Sequence, residues 1–334
     1  MNVLLTSVGR RAYMVKYFKD VLGEKGKVLA SNSDDKTVAF HYADKSVISP
    51  LIYDENYIPF LLKFCKENRV DALISLFDID LLVLAKNKDK FLDVGTKVIV
   101  SDPDFISICN DKWKTYKFLK ENGFNTPKTY LTLKDTIVAL DRGELKYPVV
   151  VKPRFGCGSI ALSVAEDEMA LLYYFRRNTR TIEKTYLKYE SDYEEEKIIY
   201  QQCLPGQEYG ADVINDLNGN FRTVNIRKKI AMRAGETDIA ELVYEPVIYN
   251  ELSKLGKITG HIANMDTDVF MVNGVPYILE MNARFGGGYP FSHNGGCNLP
   301  KAITMWVSGK EVPDNLLESK SGIVAYKELG ITVK

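Results

Sequence analysis

The residues best suited to chemistry follow an apolar run at 277–279, where Glu280, Asn282 and Arg284 recur at every second position. Side chains alternate faces along a strand, so these three leave the strand on the same side. Carboxylate and amide oxygens bind hard cations such as Mg²⁺, and a guanidinium forks onto phosphate oxygen. The spacing favours a site for a metal-bound polyphosphate. The alternative is an edge hairpin with a solvated polar face.

A second carboxylate belongs to the same predicted hairpin. Asp268 opens the apolar run 269–272, and Asn273-Gly274 is a turn signal for two antiparallel strands. Pairing across that turn brings Asp268 close to Glu280. The hairpin therefore predicts two carboxylates for one Mg²⁺ ion.

A lysine and a glycine-rich loop form the next candidate site. Lys152 stands at the end of the predicted strand 147–153, and Gly156, Gly158 and Ser159 follow it. A strand-end ammonium beside exposed backbone amides is suited to phosphate. The alternative is an ordinary hairpin with a surface lysine.

The elements that must position these residues begin with an α/β pattern over residues 1–110. Short β-branched runs alternate with helical periodicity, which predicts an open, doubly wound parallel sheet with helices on both faces. The predicted strands are 3–7, 27–30, 46–48, 72–75 and 97–100, and the predicted helices are 12–22, 57–68 and 81–90.

Two loops of this domain carry charges that could meet a substrate. Arg10 and Arg11 follow the Gly9 turn, where they either bind a carboxylate or phosphate or remain solvated. That turn is not GxGxxG, which argues against a dinucleotide site. Asp78 and Asp80 follow the strand 72–75, and Asp80 either faces the substrate or caps the next helix.

The remaining candidates lie after residue 196. The strand 197–206 ends in a Pro-Gly turn, and its extended backbone can read an adenine edge, with Glu208 as a ribose acceptor. Arg233 lies in a loop at 233–237 suited to a reacting group. His293 is either a catalytic base, a residue that positions its loop, or merely an exposed histidine. The charged segment 179–197 indicates no catalytic role.

The totals exclude several classes of protein. Lysine plus arginine equals aspartate plus glutamate, 44 each in 334 residues, so no global charge argues for nucleic acid or a membrane surface. The five cysteines are scattered without CxxC spacing, which indicates reduced thiols and a cytoplasmic location. The start of the chain is expected to be a short strand and not a signal peptide. The three histidines are too dispersed for a metal cluster.

In their order along the chain these features resemble the ATP-grasp superfamily. The likeness extends to the synthetase domains of the carbamoyl phosphate synthase large subunit and to stand-alone amino-acid ligases. It implies a two-lobed ATP-grasp fold after the Rossmann-like domain, with domains at 1–110, 111–200 and 201–320. Lys112 and Lys152 would touch the phosphates of ATP, the loop 156–159 would cover them, and Glu208 would hold the ribose. The adenine would be lined by Gln201, Gln202, Cys203 and Leu204. Gln202 stands where many relatives have glutamate.

The resemblance also implies the metal chemistry and the reaction. Asp268 and Glu280 would carry Mg²⁺ or Mn²⁺, Asn282 would support a second ion, and Arg284 would face the γ-phosphate or acyl phosphate. Lys152, Asn282 and Arg284 are then the expected catalytic residues. The expected partners are a small carboxylate and an amine, and a homodimer is compatible with the sequence. Glycines at 156–158 and 286–288 are expected to form a lid that excludes water.

The function predicted on this basis is an ATP-dependent carboxylate–amine ligase that releases ADP and phosphate. A carbamoyl phosphate synthase-like enzyme that phosphorylates bicarbonate or carbamate is a competing hypothesis within the same class. Two further hypotheses come from different classes of protein, namely an inactive nucleotide-binding module and a Rossmann-type oxidoreductase.

Overall fold

A computed structural model describes residues 1–156, 158, 160–190, 196–328 and 330–333. The first sheet is parallel, with strand order β3-β2-β1-β4-β5. Its strands are β1 (Asn2–Thr6), β2 (Lys27–Asn32), β3 (Lys45–Ile48), β4 (Ala72–Ser75) and β5 (Lys97–Val98). The helices of this region are α1 (Ala12–Leu22), α2 (Tyr57–Glu67), α3 (Asp78–Ala85), α4 (Lys88–Asp93) and α5 (Pro103–Asn110).

This region confirms the predicted doubly wound fold, with one error in the helices. The apolar strands β1 and β4 are buried because helices cover both faces of the sheet. The helix predicted at 81–90 is instead divided into α3 and α4. α3 ends at Ala85, and Asn87 immediately precedes α4; its side-chain amide donates to the Val83 carbonyl oxygen at 2.8 Å.

The second sheet is antiparallel, with strand order β6-β9-β7-β8. Its strands are β6 (Thr129–Tyr130), β7 (Val149–Pro153), β8 (Ser163–Ala165) and β9 (Ile198–Gln202). The accompanying helices are α6 (Lys112–Glu121), α7 (Leu133–Asp141), α8 (Glu168–Glu183) and α9 (Leu187–Glu190).

The third sheet is antiparallel, with strand order β14-β13-β10-β11-β12-β15. Its strands are β10 (Gln207–Asn215), β11 (Phe221–Arg233), β12 (Glu236–Val243), β13 (Asn264–Val272), β14 (Val275–Asn282) and β15 (Ile323–Tyr326). The helices of this part are α10 (Pro246–Thr259), α11 (Tyr289–Asn294) and α12 (Leu299–Val307). The two antiparallel sheets form the two lobes of the predicted fold; the domain limits given above stay a prediction.

The hairpin of β13 and β14 has the predicted geometry. Asn273 and Gly274 both have positive φ, 49° and 80°, as a two-residue primed turn requires. In the resulting register Asp268 lies directly opposite Glu280, which confirms the predicted pairing. A bulge at Leu279 follows, so that Val269 pairs with Ile278.

The hydrophobic cores show which parts are joined. One core includes Leu4 and Leu73 of the first sheet together with Met265 and Ile278 of the third sheet. The second sheet encloses a separate core around Val149. The first and third sheets thus form one packed base, and the lobe of the second sheet stands against it.

Candidate functional site

A cavity of about 400 Å³ opens between the second and third sheets, with Arg11 of the first domain at its edge. It gathers most of the predicted site residues although they are distant in sequence. Those that line it are Arg11, Lys112, Lys152, Gly156, Gly158, Gln201, Gln202, Cys203, Leu204, Glu208, Asp268, Glu280, Asn282 and Arg284. Ser159 lies outside the described residues.

The carboxylates of the cavity are crowded. Asp268 faces Glu280 across the hairpin, and the Lys229 ammonium donates to Asp268 at 2.7 Å and to Glu208 at 2.5 Å. Burial raises the pKa of Asp268 to about 6; Lys229 opposes the rise, and neighbouring Asp266 and Glu280 add to it. A site with this much negative charge favours a further cation.

The donor set fits a divalent ion that arrives with a nucleotide. Among the described residues, no three histidine, cysteine, aspartate or glutamate side chains form a cage that could hold a metal ion. Mg²⁺ seldom uses such a cage; one or two carboxylates, water and substrate phosphate oxygens normally complete its octahedron. Asp268 and Glu280, with the amide oxygen of Asn282, fit this requirement, and Mn²⁺ accepts the same oxygens.

Lys112 is positioned by a buried ion pair at the start of α6. Asp111 caps the helix by accepting the backbone N–H of Trp113 at 2.9 Å, and it also accepts two hydrogen bonds from Arg154 at 2.7 and 2.8 Å. The Lys112 ammonium donates to the carbonyl oxygen of Gly156. The cap therefore holds a cation against the glycine loop.

Lys152 is a buried cation at the end of β7. The residue is only 5% exposed, and burial lowers the pKa of Lys152 to about 8, with Glu280 acting in the opposite direction. Its side chain forms no hydrogen bond or ion pair with another described residue. A buried ammonium without a partner favours a bound anion.

The chain crosses from the second to the third sheet just after β9. The Gln201 side-chain amide donates to Thr129 Oγ1 at 2.9 Å, and the Gln202 backbone N–H donates to the Lys128 carbonyl oxygen at 2.8 Å. Beyond that point, the backbone N–H groups of Cys203 and Leu204 bond to no other residue in the described part of the chain. These unpaired groups at the cavity wall suit the edge of a planar ring.

Five side chains of alternating charge are joined at the cavity wall; Arg227, Asp266 and Arg284 line the cavity, whereas Asp212 and Asp78 do not. Arg227 donates to Asp212 at 2.7 Å and to Asp266 at 2.5 Å, and Arg284 donates to Asp266 at 2.9 Å and to Asp78 at 3.1 Å. We call these five residues the charge chain. Although burial opposes ionisation, Arg227 and Arg284 hold the pKa of Asp266 below its usual range. The charge chain ties the first domain to the third sheet.

Two of the glycines at 286–288 are packed against this charge chain. A Cβ at Gly286 would lie 2.2 Å from the Asp266 carboxylate carbon, and one at Gly288 would lie 2.1 Å from Arg227 Nε. Gly286 and Gly288 are both buried. Close packing of the backbone accounts for glycine at these two positions, and the expectation of a closing loop stays a prediction.

Three lining residues were not predicted, namely Arg227, Lys229 and Asp266. Glu236 and Thr237 at the start of β12 also line the cavity, and they belong to the loop 233–237 that was expected to meet a reacting group. A signal existed for the first three, because 227 and 229, like 266 and 268, stand at every second position of strands that face the site. The segment 179–197 also contributes, since Leu187 lines the cavity and lies against Gly156.

Four candidate substrate residues do not line this cavity. Arg10 is exposed, and Arg233 pairs with Asp238; contact of either with a substrate stays a prediction. Asp80 is fully buried in α3, where it accepts hydrogen bonds from hydroxyl groups. His293 stacks on Tyr17 with ring centroids 3.6 Å apart.

Family comparisons agree with this geometry. The model described as "ATP-grasp domain" matches residues 109–288, and the model described as "PylC-like, N-terminal domain" matches residues 3–99. The chain belongs to the ATP-grasp family. Members of this family are ADP-forming ligases.

One curated relative of this ATP-grasp chain is the carbamoyl phosphate synthase large chain, C-terminal section, of Methanopyrus kandleri. The two are 24% identical over 329 residues, which cover 90% of this chain and 56% of the relative. The chain therefore spans about half the length of that protein. Among the described residues, no helix combines the length and apolar character needed to cross a membrane.

Solved structures show the same fold at low identity. The biotin carboxylase domain dimer of Hydrogenobacter thermophilus 2-oxoglutarate carboxylase, in complex with MgADP, ADP and bicarbonate, has a TM-score of 0.72 and 17% identity. The match covers 93% of this chain and 70% of that one. The L-amino acid ligase from Bacillus licheniformis has a TM-score of 0.65 and 20% identity, covering 91% and 73%.

Proposed function

We propose that this ATP-grasp chain is an ATP-dependent carboxylate–amine ligase that works through an acyl phosphate. The substrate carboxylate attacks the terminal phosphorus of ATP, which releases ADP. An amine then attacks the acyl carbon, and inorganic phosphate leaves. The observation that carries the proposal is the convergence of Asp268, Glu280, Lys152 and Arg284 on one cavity, with two carboxylates in direct register.

Each of these groups has a task suited to phosphoryl transfer, where a protein mainly positions reactants and stabilises charge. Lys112 and Lys152 bring two cations to the phosphate end. Arg284, held by Asp266 and Asp78, presents a fixed guanidinium toward the acyl phosphate. The backbone of Cys203 and Leu204 suits the adenine, and Glu208 suits the ribose.

The metal requirement follows from the carboxylates. Mg²⁺ bound with ATP neutralises charge that develops on the phosphate oxygens. Asp268 and Glu280 would hold it, Asn282 would support a second ion, and Mn²⁺ would substitute. The Lys229 ammonium donates to both Asp268 and Glu208. When Asp268 binds the metal ion, Lys229 would keep its hydrogen bond to Glu208.

The products test the reaction. We expect ADP and inorganic phosphate from ATP with the correct acid and amine, and no AMP or pyrophosphate. With the acid alone, hydroxylamine should trap a hydroxamate, because it intercepts an acyl phosphate. A screen of amino acids and small carboxylates in pairs, followed by ADP release, identifies the substrates. Pyrophosphate among the products would rule out the acyl-phosphate course.

A second candidate is phosphorylation of bicarbonate or carbamate, which the similarity to carbamoyl phosphate synthase large chains favours. Bicarbonate-stimulated turnover that no carboxylic acid changes would support this candidate over the ligase. The hypothesis of an inactive module is opposed by the presence of Asp268, Glu280 and Asn282 together. ATP turnover above background excludes it.

A further inference from the structure

A second cavity, of about 250 Å³, lies in the first domain and has no role in the proposed reaction. It opens beside the carboxyl ends of β1, β2 and β3, and Ser7, Asn32, Ser49, Tyr57 and Phe77 are among its lining residues. None of its lining residues also lines the main cavity. The strand order of this sheet reverses between β1 and β4, and open α/β sheets bind ligands near such a point.

A buried carboxylate lies directly behind this cavity. Asp80 is 0% exposed and accepts hydrogen bonds from Ser7 Oγ at 2.9 Å and from the Tyr57 hydroxyl at 3.0 Å. Thr6 Oγ1 donates to the same oxygen at 2.9 Å, and Ser75 Oγ donates to the other one. No lysine, arginine or histidine in the described part of the chain pairs with Asp80. Burial raises the pKa of Asp80, and these four hydroxyl groups oppose the rise. In the ionised form its charge is balanced only by dipoles.

These bonds determine what the cavity wall can offer. A hydroxyl group has one proton, and Ser7 and Tyr57 both direct theirs to Asp80. Their oxygens therefore present only lone pairs to a ligand. Asn32 is committed in the same way, since its amide nitrogen donates to Thr37 Oγ1 at 2.9 Å, while its oxygen accepts the Gly9 N–H and keeps one lone pair.

Ser49 supplies a group without a partner. The residue is 8% exposed and lines the cavity, and its Oγ forms no hydrogen bond within the described ranges. The oxygen is open to the cavity, so a ligand or water can bond to it. The same wall includes Phe77 and Ile52, which suit a short aliphatic segment.

We propose that this cavity binds a small ligand that carries an ammonium group. An ammonium has three N–H donors and no acceptor, which complements the lone pairs of Ser7, Tyr57 and Asn32, and the Ser49 hydroxyl can accept as well. The Asp80 carboxylate, when ionised, favours a cation and disfavours a carboxylate or phosphate. A neutral hydroxyl compound satisfies fewer acceptors and gains nothing from the charge. Asp80 acts here as a positioning residue, because it reaches the ligand only through Ser7 and Tyr57.

Three two-carbon probes of different charge test the proposal: ethanolamine, ethylene glycol and glycolate. Binding is followed by amide chemical shifts of the isotope-labelled full chain. We expect ethanolamine to shift the amides of Ser7, Asn32 and Ser49 in a saturable manner. Its affinity should exceed that of either other probe by at least about tenfold. Comparable binding of ethylene glycol or glycolate, or shifts centred on Lys152 and Glu280, would overturn the proposal.

Two variants locate the binding groups. Ser49→Ala removes a hydroxyl that has no partner, and Tyr57→Phe removes one acceptor while keeping the ring. Each should weaken ethanolamine binding by about threefold to tenfold. Ser253→Ala and Tyr249→Phe on α10 are the matched controls and should bind as the parent does. Unchanged affinity in both cavity variants would assign the probe to another surface and overturn the proposal.

Discussion

Two sets of charges at the main cavity are arranged in opposite ways. In the first set, adjacent members of the charge chain are joined by hydrogen bonds from Asp212 through to Asp78. In the second set, the side chains of Lys152 and Glu280 form no hydrogen bond or ion pair with any other described residue. The first set is paired before a ligand arrives. The second set is left for a ligand or a metal ion to pair with.

The difference separates stability from function within one cavity. Removing one partner of a buried ion pair lowers the stability of the fold, because the other charge is left buried and unpaired. A buried ion that is already unpaired lowers stability for as long as it has no ligand. Substitutions at Asp212 and Asp266, to which the proposed reaction assigns no step, should therefore act mainly on folding. Substitutions at Lys152 and Glu280 should act mainly on ATP binding and turnover and leave folding almost unchanged.

The largest effect is expected from Asp266→Asn, which removes the central anion of the charge chain. Arg227 and Arg284 would remain buried with one charge fewer between them, so the free energy of unfolding should fall by about 3–5 kcal/mol. Urea denaturation measures it. Asp314→Asn is the control, because the Asp314 side chain is 76% exposed and its pair with Arg222 is a surface pair. Equal stability of the two variants would contradict the role of the charge chain.

Glu280→Gln tests the second set, the charges without a partner. It keeps the shape of the side chain but removes a charge from the expected metal site. Steady-state ATP turnover should fall about a hundredfold or more, which corresponds to the loss of roughly 3 kcal/mol of barrier stabilisation. The melting temperature should remain close to that of the parent. Glu67→Gln on α2 is the control, and near-parental turnover in Glu280→Gln would remove this residue from the mechanism.

His261 belongs to neither set of charges; it is buried and both of its ring nitrogens are hydrogen-bonded. Burial lowers the pKa of His261 to about 4, so the ring is neutral at pH 7. Nε2 donates to the Val213 carbonyl oxygen at 3.0 Å, and Nδ1 of the neutral ring accepts from Thr259 Oγ1 at 2.8 Å. The unfolded chain takes up this proton near pH 6.5, so stability is full above that pH and falls as the pH drops toward about 4.

Between pH 7.5 and pH 5, this histidine should therefore remove about 2 kcal/mol from the free energy of unfolding. Urea denaturation of the parent and of His261→Gln at both pH values isolates its contribution. His41→Gln is the matched control. If the His261→Gln chain loses as much stability as the parent on acidification, the buried ring is not the source.

The smallest effect is expected from Lys152→Ala. Loss of one cation from the phosphate end should weaken ATP binding by about tenfold, or about 1.4 kcal/mol, as measured by calorimetry. Lys152→Arg should restore it only in part, because a planar fork does not replace a compact ammonium. Unfolding free energy should be unchanged or higher, since burial disfavours this ammonium. Equal ATP affinity in parent and Lys152→Ala would leave the lysine with a structural role only.

The sequence by itself determined the parts that depend on local rules. Strand alternation placed Glu280, Asn282 and Arg284 on one face, and the Asn273-Gly274 turn set the register that brings Asp268 opposite Glu280. The order of lysines, glycines and strands along the chain was sufficient for the family and the fold. These features extend over a few residues or one hairpin, where backbone geometry leaves few choices.

Two pairs of neighbouring charges were candidates for the site, Arg10 with Arg11 and Asp78 with Asp80. Only the tertiary structure decided which residue of each pair lines the cavity or pairs with a residue that does. Arg11 lines it while Arg10 is exposed, and Asp78 pairs with Arg284 while Asp80 turns inward to hydroxyl groups. Asp78 and Arg284 are 206 positions apart, so no local pattern connects them. The charge chain exists because separate strands and helices bring opposite charges together where water is excluded, and that balance depends on the packing of the whole chain.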